Sequence, residues 1–242
     1  MLTIVLVHGA FADASSWNGV IERLQRQGQS VVAPPNPLRG IDADSAYVAS
    51  FISQIDGPVL LVGHSYGGAV ISNVLSKSKN VVGLVFVAAF APDDGEWLGD
   101  VTTRSKDAIL GPALLPRNYP TGKDGETAQE FIVNPARFRE VFAGDLPAER
   151  AAVLAATQRP IAAAAFSDKS RPPAWKSIKS WAVVATGDKV IGTDLVRSMA
   201  QRAGAKITEV EGSHVVMISR PDVVTDVILE AAHVVEPSGA AR

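Results

Sequence analysis

Val59-Leu60-Leu61-Val62-Gly63-His64-Ser65-Tyr66-Gly67-Gly68-Ala69-Val70-Ile71 is the stretch on which the reading of this chain turns. Residues 59–62 are apolar without a break, the pattern of a short strand buried on both faces. From Val70 onward, Val70, Ile71, Val74 and Leu75 recur at helical spacing. Between strand and helix stands Gly-x-Ser-x-Gly. Alone that pattern is weak. In this context it describes a sharp turn whose strained backbone excludes Cβ atoms at the flanking positions and holds Ser65 at the end of a strand and the start of a helix. Gly68 lets the helix pack closely. A phosphate-cradling loop would end in Gly-Lys-Ser/Thr and a dinucleotide site would carry Gly-x-Gly-x-x-Gly; the segment has neither.

Outward from that turn, the same kind of continuous apolar run recurs at Thr3–Val7, 31–33, Val81–Val87 and 181–185. Amphipathic segments alternate with these runs: Trp17, Val20, Ile21 and Leu24 ending at Gly28, and Tyr47, Val48, Phe51, Ile52 and Ile55 after the cap candidates Asp42 and Asp44. Two more follow: a helix from Thr193 to Ala203 before Gly204, and another after Pro221, with the strand Lys206–Val210 between them. This alternation predicts an α/β fold with a doubly wound, mostly parallel sheet of about six strands, whose ligands bind beyond the carboxyl ends of the strands.

Residues 91–179 break the alternation. They hold 9 of the 15 prolines and 7 of the 15 aromatic residues, with no convincing strand pattern, and so read as an insertion. Short helices opening with proline are expected at 135–143 and 147–157. The expected organisation is a core of residues 1–90 and 180–242 carrying a cap at 91–179. The tail after Glu236 should fray.

Composition narrows the chemistry. A net charge of −2 over 242 residues offers no field for nucleic acid or an anionic membrane. The absence of cysteine removes thiolate catalysis and cysteine-ligated metals. Met1 to Gly9 lacks the basic segment and the apolar length of a signal peptide, and the longest apolar stretch, 81–91, is interrupted by Gly83 and is well short of the roughly 20 residues of a membrane span. A cytoplasmic location is the expectation.

A serine hydroxyl needs a base. Of four histidines, His214 lies in a loop between the last strand and the last helix, at the edge where Ser65 is expected. His233 falls in the last helix; His8 and His64 read as structural hydrogen-bonding residues. The imidazole in turn needs a carboxylate to fix its tautomer. Asp188, just past the strand 181–185, stands in the right place, ahead of Asp194, Glu209, Glu211 and Asp168. Asp188 could also serve merely to cap a turn or pair with Lys189. The order Ser, Asp, His is the one found in this fold class. For the developing oxyanion, the N–H of Tyr66 is one expected donor and that of Ala10 the other, with Phe11 as runner-up. Phe11, Phe90 and Trp175 are the expected substrate-binding side chains, and some of the seven aromatic residues of 91–179 should face the cleft above Ser65.

Taken together these residues resemble the α/β-hydrolase superfamily, and within it the small cap-bearing esterase branch that includes plant methylesterases, hydroxynitrile lyases and related bacterial esterases. The resemblance rests on His8-Gly9-Ala10 followed by Trp17, the turn Gly63 to Gly68, Val87-Ala88-Ala89-Phe90, Gly187-Asp188-Lys189-Val190, and Gly212-Ser213-His214-Val215-Val216-Met217 leading into Ser219-Arg220-Pro221. It implies a Ser65, His214, Asp188 triad, oxyanion donors at Ala10 and Tyr66, a cap from Ala91 to about Lys179, and neither cofactor nor metal. The expected activity is serine carboxylesterase action on small or medium esters with an apolar or aromatic part. Other expectations on the same triad are a cofactor-free lyase and a lactone or C–C bond hydrolase; a non-catalytic ligand receptor is the reading from another class. Two departures stand out: Val215 where lyases of the branch use lysine, and Ala12, Asp13 and Ala14 where plant esterases carry a His-Gly pair. The expected partner is a small-molecule ester, with a homodimer compatible with the sequence.

Overall fold

The computed structural model describes residues 1–74 and 79–236. Leu75, expected in the helix after Ser65, and the tail after Glu236 lie outside the described residues. Six strands form one parallel sheet: β1 (Thr3–Val7), β2 (Ser30–Val32), β3 (Val59–His64), β4 (Val81–Val87), β8 (Ser180–Ala185) and β9 (Lys206–Val210), in the order β2-β1-β3-β4-β8-β9. The continuously apolar runs are the interior strands; β1, β3 and β8 are buried at every residue. Edge strands β2 and β9 are only partly covered, which is why they carry Ser30, Lys206 and Glu209.

Helices α1 (Asn18–Arg26), α2 (Ile41–Ile52), α3 (Tyr66–Ser72), α8 (Thr193–Arg202), α9 (Val216–Ser219) and α10 (Pro221–Val235) follow the strands. α10 packs on α1 and over β3, β4 and β8, α2 packs on α3, and α8 covers β8 and β9. α2 opens at Gly40 rather than at an acidic cap, because φ of +141° there suits only glycine; Asp42 and Asp44 fall in the first turn instead. Among the described residues no helix is long and apolar enough to cross a membrane.

The chain runs outward from β1 to β2 and then returns to place β3 on the other side of β1. Strand order therefore reverses between β1 and β3, and the loops leaving their carboxyl ends diverge from a crevice, where open α/β sheets bind ligands. His8 to Phe11 leave β1 there and Ser65 directly follows β3.

Residues between β4 and β8 contain strands that the sequence did not announce. β5 (Leu114–Pro120), β6 (Thr127–Val133) and β7 (Ile161–Ala162) make an antiparallel sheet, accompanied by α4 (Leu98–Thr102), α5 (Pro135–Phe142), α6 (Ala148–Thr157) and α7 (Ala164–Ser167). The reason is exposure: β5 is an edge strand, uncovered along most of its length, with prolines at 116 and 120 and no alternation to read. The expected helices are present, with Pro135 inside the first turn of α5 and Pro147 as the cap of α6. This segment is tied to the loop after β2 and the start of α2 by the Ala162 N–H on the Leu38 carbonyl (2.9 Å), by Arg39 on Glu130 (2.8 Å) and by a two-pronged Arg171–Asp42 pair.

Candidate active site

Ser65 is the hinge between β3 and α3, with φ of +52° and ψ of −123°, a conformation costly for any residue with a side chain. The surroundings hold it there. A Cβ at Gly63 would lie 2.6 Å from the Gly67 carbonyl oxygen, one at Gly67 2.4 Å from that of Val7, and one at Gly68 2.4 Å from that of Phe90. The serine's own backbone is fully used: its N–H donates to the Val87 carbonyl, and its carbonyl accepts from Gly68 and Phe90. Ser65 is 3% exposed.

The loop after β1 closes on the serine from one side, for a Cβ at Gly9 would lie 2.6 Å from Ser65 Cβ. The N–H groups of Ala10, Phe11 and Tyr66 donate to no acceptor among the described residues, although all three residues are buried. Buried donors left unpaired are costly, and those around a nucleophile are what a developing oxyanion would take. Tyr66 also opens α3, where the helix dipole favours negative charge. Its hydroxyl donates to Asp44 Oδ2 (2.7 Å), which anchors the side chain away from the serine. Burial, and then the Asp44 charge, raise the Tyr66 phenol well above its ordinary range.

His214 follows β9. Its Nδ1 lies 2.9 Å from Asp188 Oδ2, and both side chains are fully buried. Since a carboxylate only accepts, Nδ1 carries the proton and Nε2 presents a lone pair. That Nε2 is buried without a hydrogen-bond partner among the described residues. The nucleophile–base bond is therefore not made in this state; in sites without substrate such bonds are often long and tighten on binding. Asp188 is held in turn: Oδ1 accepts the Val190 and Ile191 N–H groups at 2.8 and 3.1 Å. The competing carboxylates are engaged elsewhere, Asp194 with Ser105 and the Lys106 N–H, and Glu209 with Arg197. Asp168 sits beside Gly40 at the start of α2, and Glu211 is exposed in the loop before His214.

The remaining histidines differ in kind. His233 is exposed on α10. His8 bonds through both nitrogens, to the Gly9 carbonyl and from the Asn36 N–H, and burial lowers its pKa to about 4. His64 stands closer to the base than its sequence position suggests: its ring lies 4.8 Å from that of His214, and its Nε2 donates to the His214 carbonyl at 2.9 Å. Burial, with the neighbouring His214 second, keeps it neutral by pushing its pKa well below the ordinary value.

Phe11 is joined to the base through Phe142, Phe90 is tied to Ser65 through its backbone, and Trp175 makes its contacts within the inserted segment and with Arg202. Phe11 meets Phe142 edge-on at 6.0 Å, and Phe142, from α5, meets the His214 ring at 5.0 Å. Phe90 is fixed to the Ser65 carbonyl through its N–H (3.1 Å). Trp175 lies in the turn before β8, its indole N–H on the Pro92 carbonyl and its ring beside Lys176 and Arg202. These contacts brace the end of the inserted segment. Phe142 is the aromatic residue of that segment that roofs the base. Phe11, Phe142, Leu154, Val215, Met217 and Ile218 line a narrow cleft beside it.

Residues 4–227 match the sequence profile of the alpha/beta hydrolase family. Among curated proteins, the chain is 28% identical over 158 residues to a pyrethroid hydrolase of Sphingobium wenxiniae, a match covering 60% of this chain and 56% of that protein. It is 25% identical over 250 residues to methylesterase 8 of Arabidopsis thaliana, covering 94% of this chain and 88% of the relative. Among solved structures, polyneuridine aldehyde esterase superposes with a TM-score of 0.77 at 22% identity, covering 95% of this chain and 98% of that one. At that identity the superposition speaks to the fold.

Proposed function

The chain belongs to the alpha/beta hydrolase family, and from that premise we propose that it is a serine carboxylesterase acting on small to medium esters with an apolar or aromatic part. One observation carries the reading: a fully buried His214–Asp188 pair whose Nε2 has no partner, packed 4.8 Å from the ring of His64, the residue directly before a serine held at positive φ. In the proposed reaction Ser65 Oγ gives its proton to His214 Nε2 and attacks the ester carbonyl. The Ala10 and Tyr66 N–H groups receive the oxyanion, and Asp188 steadies the imidazolium. His214 then protonates the leaving alcohol, and water retraces the steps through the same groups to free the acid. Residues 91–179 act as the cap.

The substrate class is supported by the apolar character of Phe11, Phe142 and Val215 around the base, and by the ester-cleaving names of the relatives. Only a little over half the length of the pyrethroid hydrolase is matched, so no particular ester is transferred from it. Val215 gives the residue after His214 no charge, which leaves a lyase without a cation at that position.

Fluorophosphonate labelling followed by a chain-length series of p-nitrophenyl esters tests the proposal. The wild-type protein should be labelled on Ser65 and turn over the esters; Ser65→Ala should lose both while keeping its fold. Undiminished turnover in Ser65→Ala would remove the mechanism altogether.

A further inference from the structure

The backbone of His214 is held from both sides, and the two holders come from different parts of the chain. On its carboxyl side, His64 Nε2–H donates to the His214 carbonyl at 2.9 Å, from a ring with no measurable exposure. On its amino side, the preceding residue Ser213 is bound by Asp145, from the turn between α5 and α6. Asp145 Oδ2 accepts the Ser213 N–H at 2.9 Å, Oδ1 accepts the Ser213 hydroxyl, and that hydroxyl also reaches the Phe142 carbonyl at 3.5 Å. Burial alone would raise the Asp145 pKa, but these donors bring it below the ordinary value, so it is an anion at neutral pH.

We infer that His64 and Asp145 are positioning residues that clamp the general base, and that the inserted segment supplies one jaw of the clamp. This inference rests on the assignment of His214 as the base. The other bonds of this stretch fall on its ends, the Gly212 carbonyl accepting the Gly187 N–H at 2.9 Å and the Val215 carbonyl the Ile218 N–H at 2.8 Å, so without the clamp His214 itself would be held by its side-chain bond to Asp188. A hydrogen bond restrains one ring nitrogen but leaves the ring free to pivot about it, and Nε2, at the far side of the ring, moves most. Fixing the carbonyl at one end and the preceding N–H at the other removes that pivot. The jaws are also chemically suited to the task. A neutral His64 can donate beside His214 without opposing the imidazolium, and the ionised Asp145 gives a stronger, charge-assisted hold on the loop. The Asp145 jaw borders an open cleft of about 600 Å³ shared with Gly187 and Lys189, so removing its carboxylate empties no core position.

The test compares two pairs of variants in the intact chain, with rates normalised to the sites titrated by fluorophosphonate. Asp145→Ala loses the jaw, whereas Asp145→Asn keeps an oxygen for the Ser213 N–H and an amide hydrogen for its hydroxyl. His64→Leu loses the donor, whereas His64→Gln can present an N–H where His64 Nε2 stood. Each clamp-deleting variant should lower kcat by about ten- to a hundredfold, the range in which small displacements of a reacting group act, with KM unmoved. Each conservative variant should recover to within about threefold of wild type. The downfield Nδ1–H proton resonance of His214 should broaden in Asp145→Ala and sharpen again in Asp145→Asn. If Asp145→Ala folds poorly, Ser213→Ala, which removes the hydroxyl and keeps the N–H, should show a smaller loss of the same kind. Wild-type kcat and an unchanged resonance in Asp145→Ala, with Ser65→Ala inactive, overturn the clamp and leave the triad standing. Activity in Ser65→Ala overturns both.

Discussion

Replacing Asp188 by asparagine puts the site's hydrogen bonding to a sharp test, because the structure dictates how the amide must sit. Oδ1 of Asp188 accepts two backbone N–H groups, from Val190 and Ile191, so the amide oxygen must take that place. The amide NH2 is then left facing His214 Nδ1, where Oδ2 stands 2.9 Å away in the native protein. Two donors cannot share that contact. His214 must move its proton to Nε2, the nitrogen that should accept from Ser65, and the base is lost without any change of shape. A tautomer locked the wrong way costs on the order of ten-thousandfold in kcat, roughly 5 kcal/mol in the barrier. Stability should change little, since the Val190 and Ile191 bonds persist. Steady-state hydrolysis of p-nitrophenyl acetate, alongside the thermal midpoint of each protein, measures both quantities. A loss smaller than about tenfold, with the fold intact, would refute the reasoning and move the search to Glu211 or Asp194.

Other expectations follow from the same geometry. His8 is held neutral, with a folded pKa of about 4 against 6.5 unfolded, so the unfolded chain takes up a proton first; stability should be full above 6.5 and fall by up to about 3 kcal/mol as pH drops to about 4. Urea midpoints between about pH 7.5 and 4.5 check this, and His8→Gln should flatten the slope; an equally steep slope in that variant would contradict it. Gly9→Ala should cut kcat by about a hundredfold, because its Cβ would stand 2.6 Å from that of Ser65, and a wild-type rate would show the loop to be freer than described. Phe142→Leu should change the preference between short and long acyl esters by about tenfold, some 1.4 kcal/mol, whereas a proportional loss on every ester would make Phe142 a core residue only.

The elements buried on both sides were legible because burial leaves its mark in the residues themselves. β1, β3 and β8 read as apolar runs and β4 as one interrupted by Gly83, and the glycines around Ser65 are demanded by contacts as short as 2.4 Å. The loops carrying Asp188 and His214 could be found for the same reason: each follows a strand whose end was plain. What stayed hidden depends on contacts between distant residues. β5 is exposed along most of its length and pairs with β6 alone, and β6 is buried only towards its carboxyl end, so no periodicity betrays them. Asp145 and Ser213 lie 68 positions apart, and an aspartate in a surface turn carries no sign of what it will hold. The histidine before Ser65 was visible but its direction was not, since only the fold sets its ring against His214. Trp175 reads from the sequence as a pocket wall, and its indole N–H bond to the Pro92 carbonyl, 83 positions away, is a contact no local pattern announces.

The β5–β6 hairpin ends in an exposed turn, residues 121–126, with two glycines at positive φ. A cut there would partition the chain unusually cleanly. One fragment would keep β1 to β4 with Ser65, and the other β8 and β9 with Asp188 and His214. Neither half holds a complete set of reacting groups. Each retains a matching seam for the other, the parallel β4–β8 ladder and the antiparallel register from Leu114↔Val133 to Pro120↔Thr127. Fused to two proteins that meet, such halves would report the encounter by the appearance of ester cleavage, and their background would be set by how well the two strands of the hairpin recognise one another unaided.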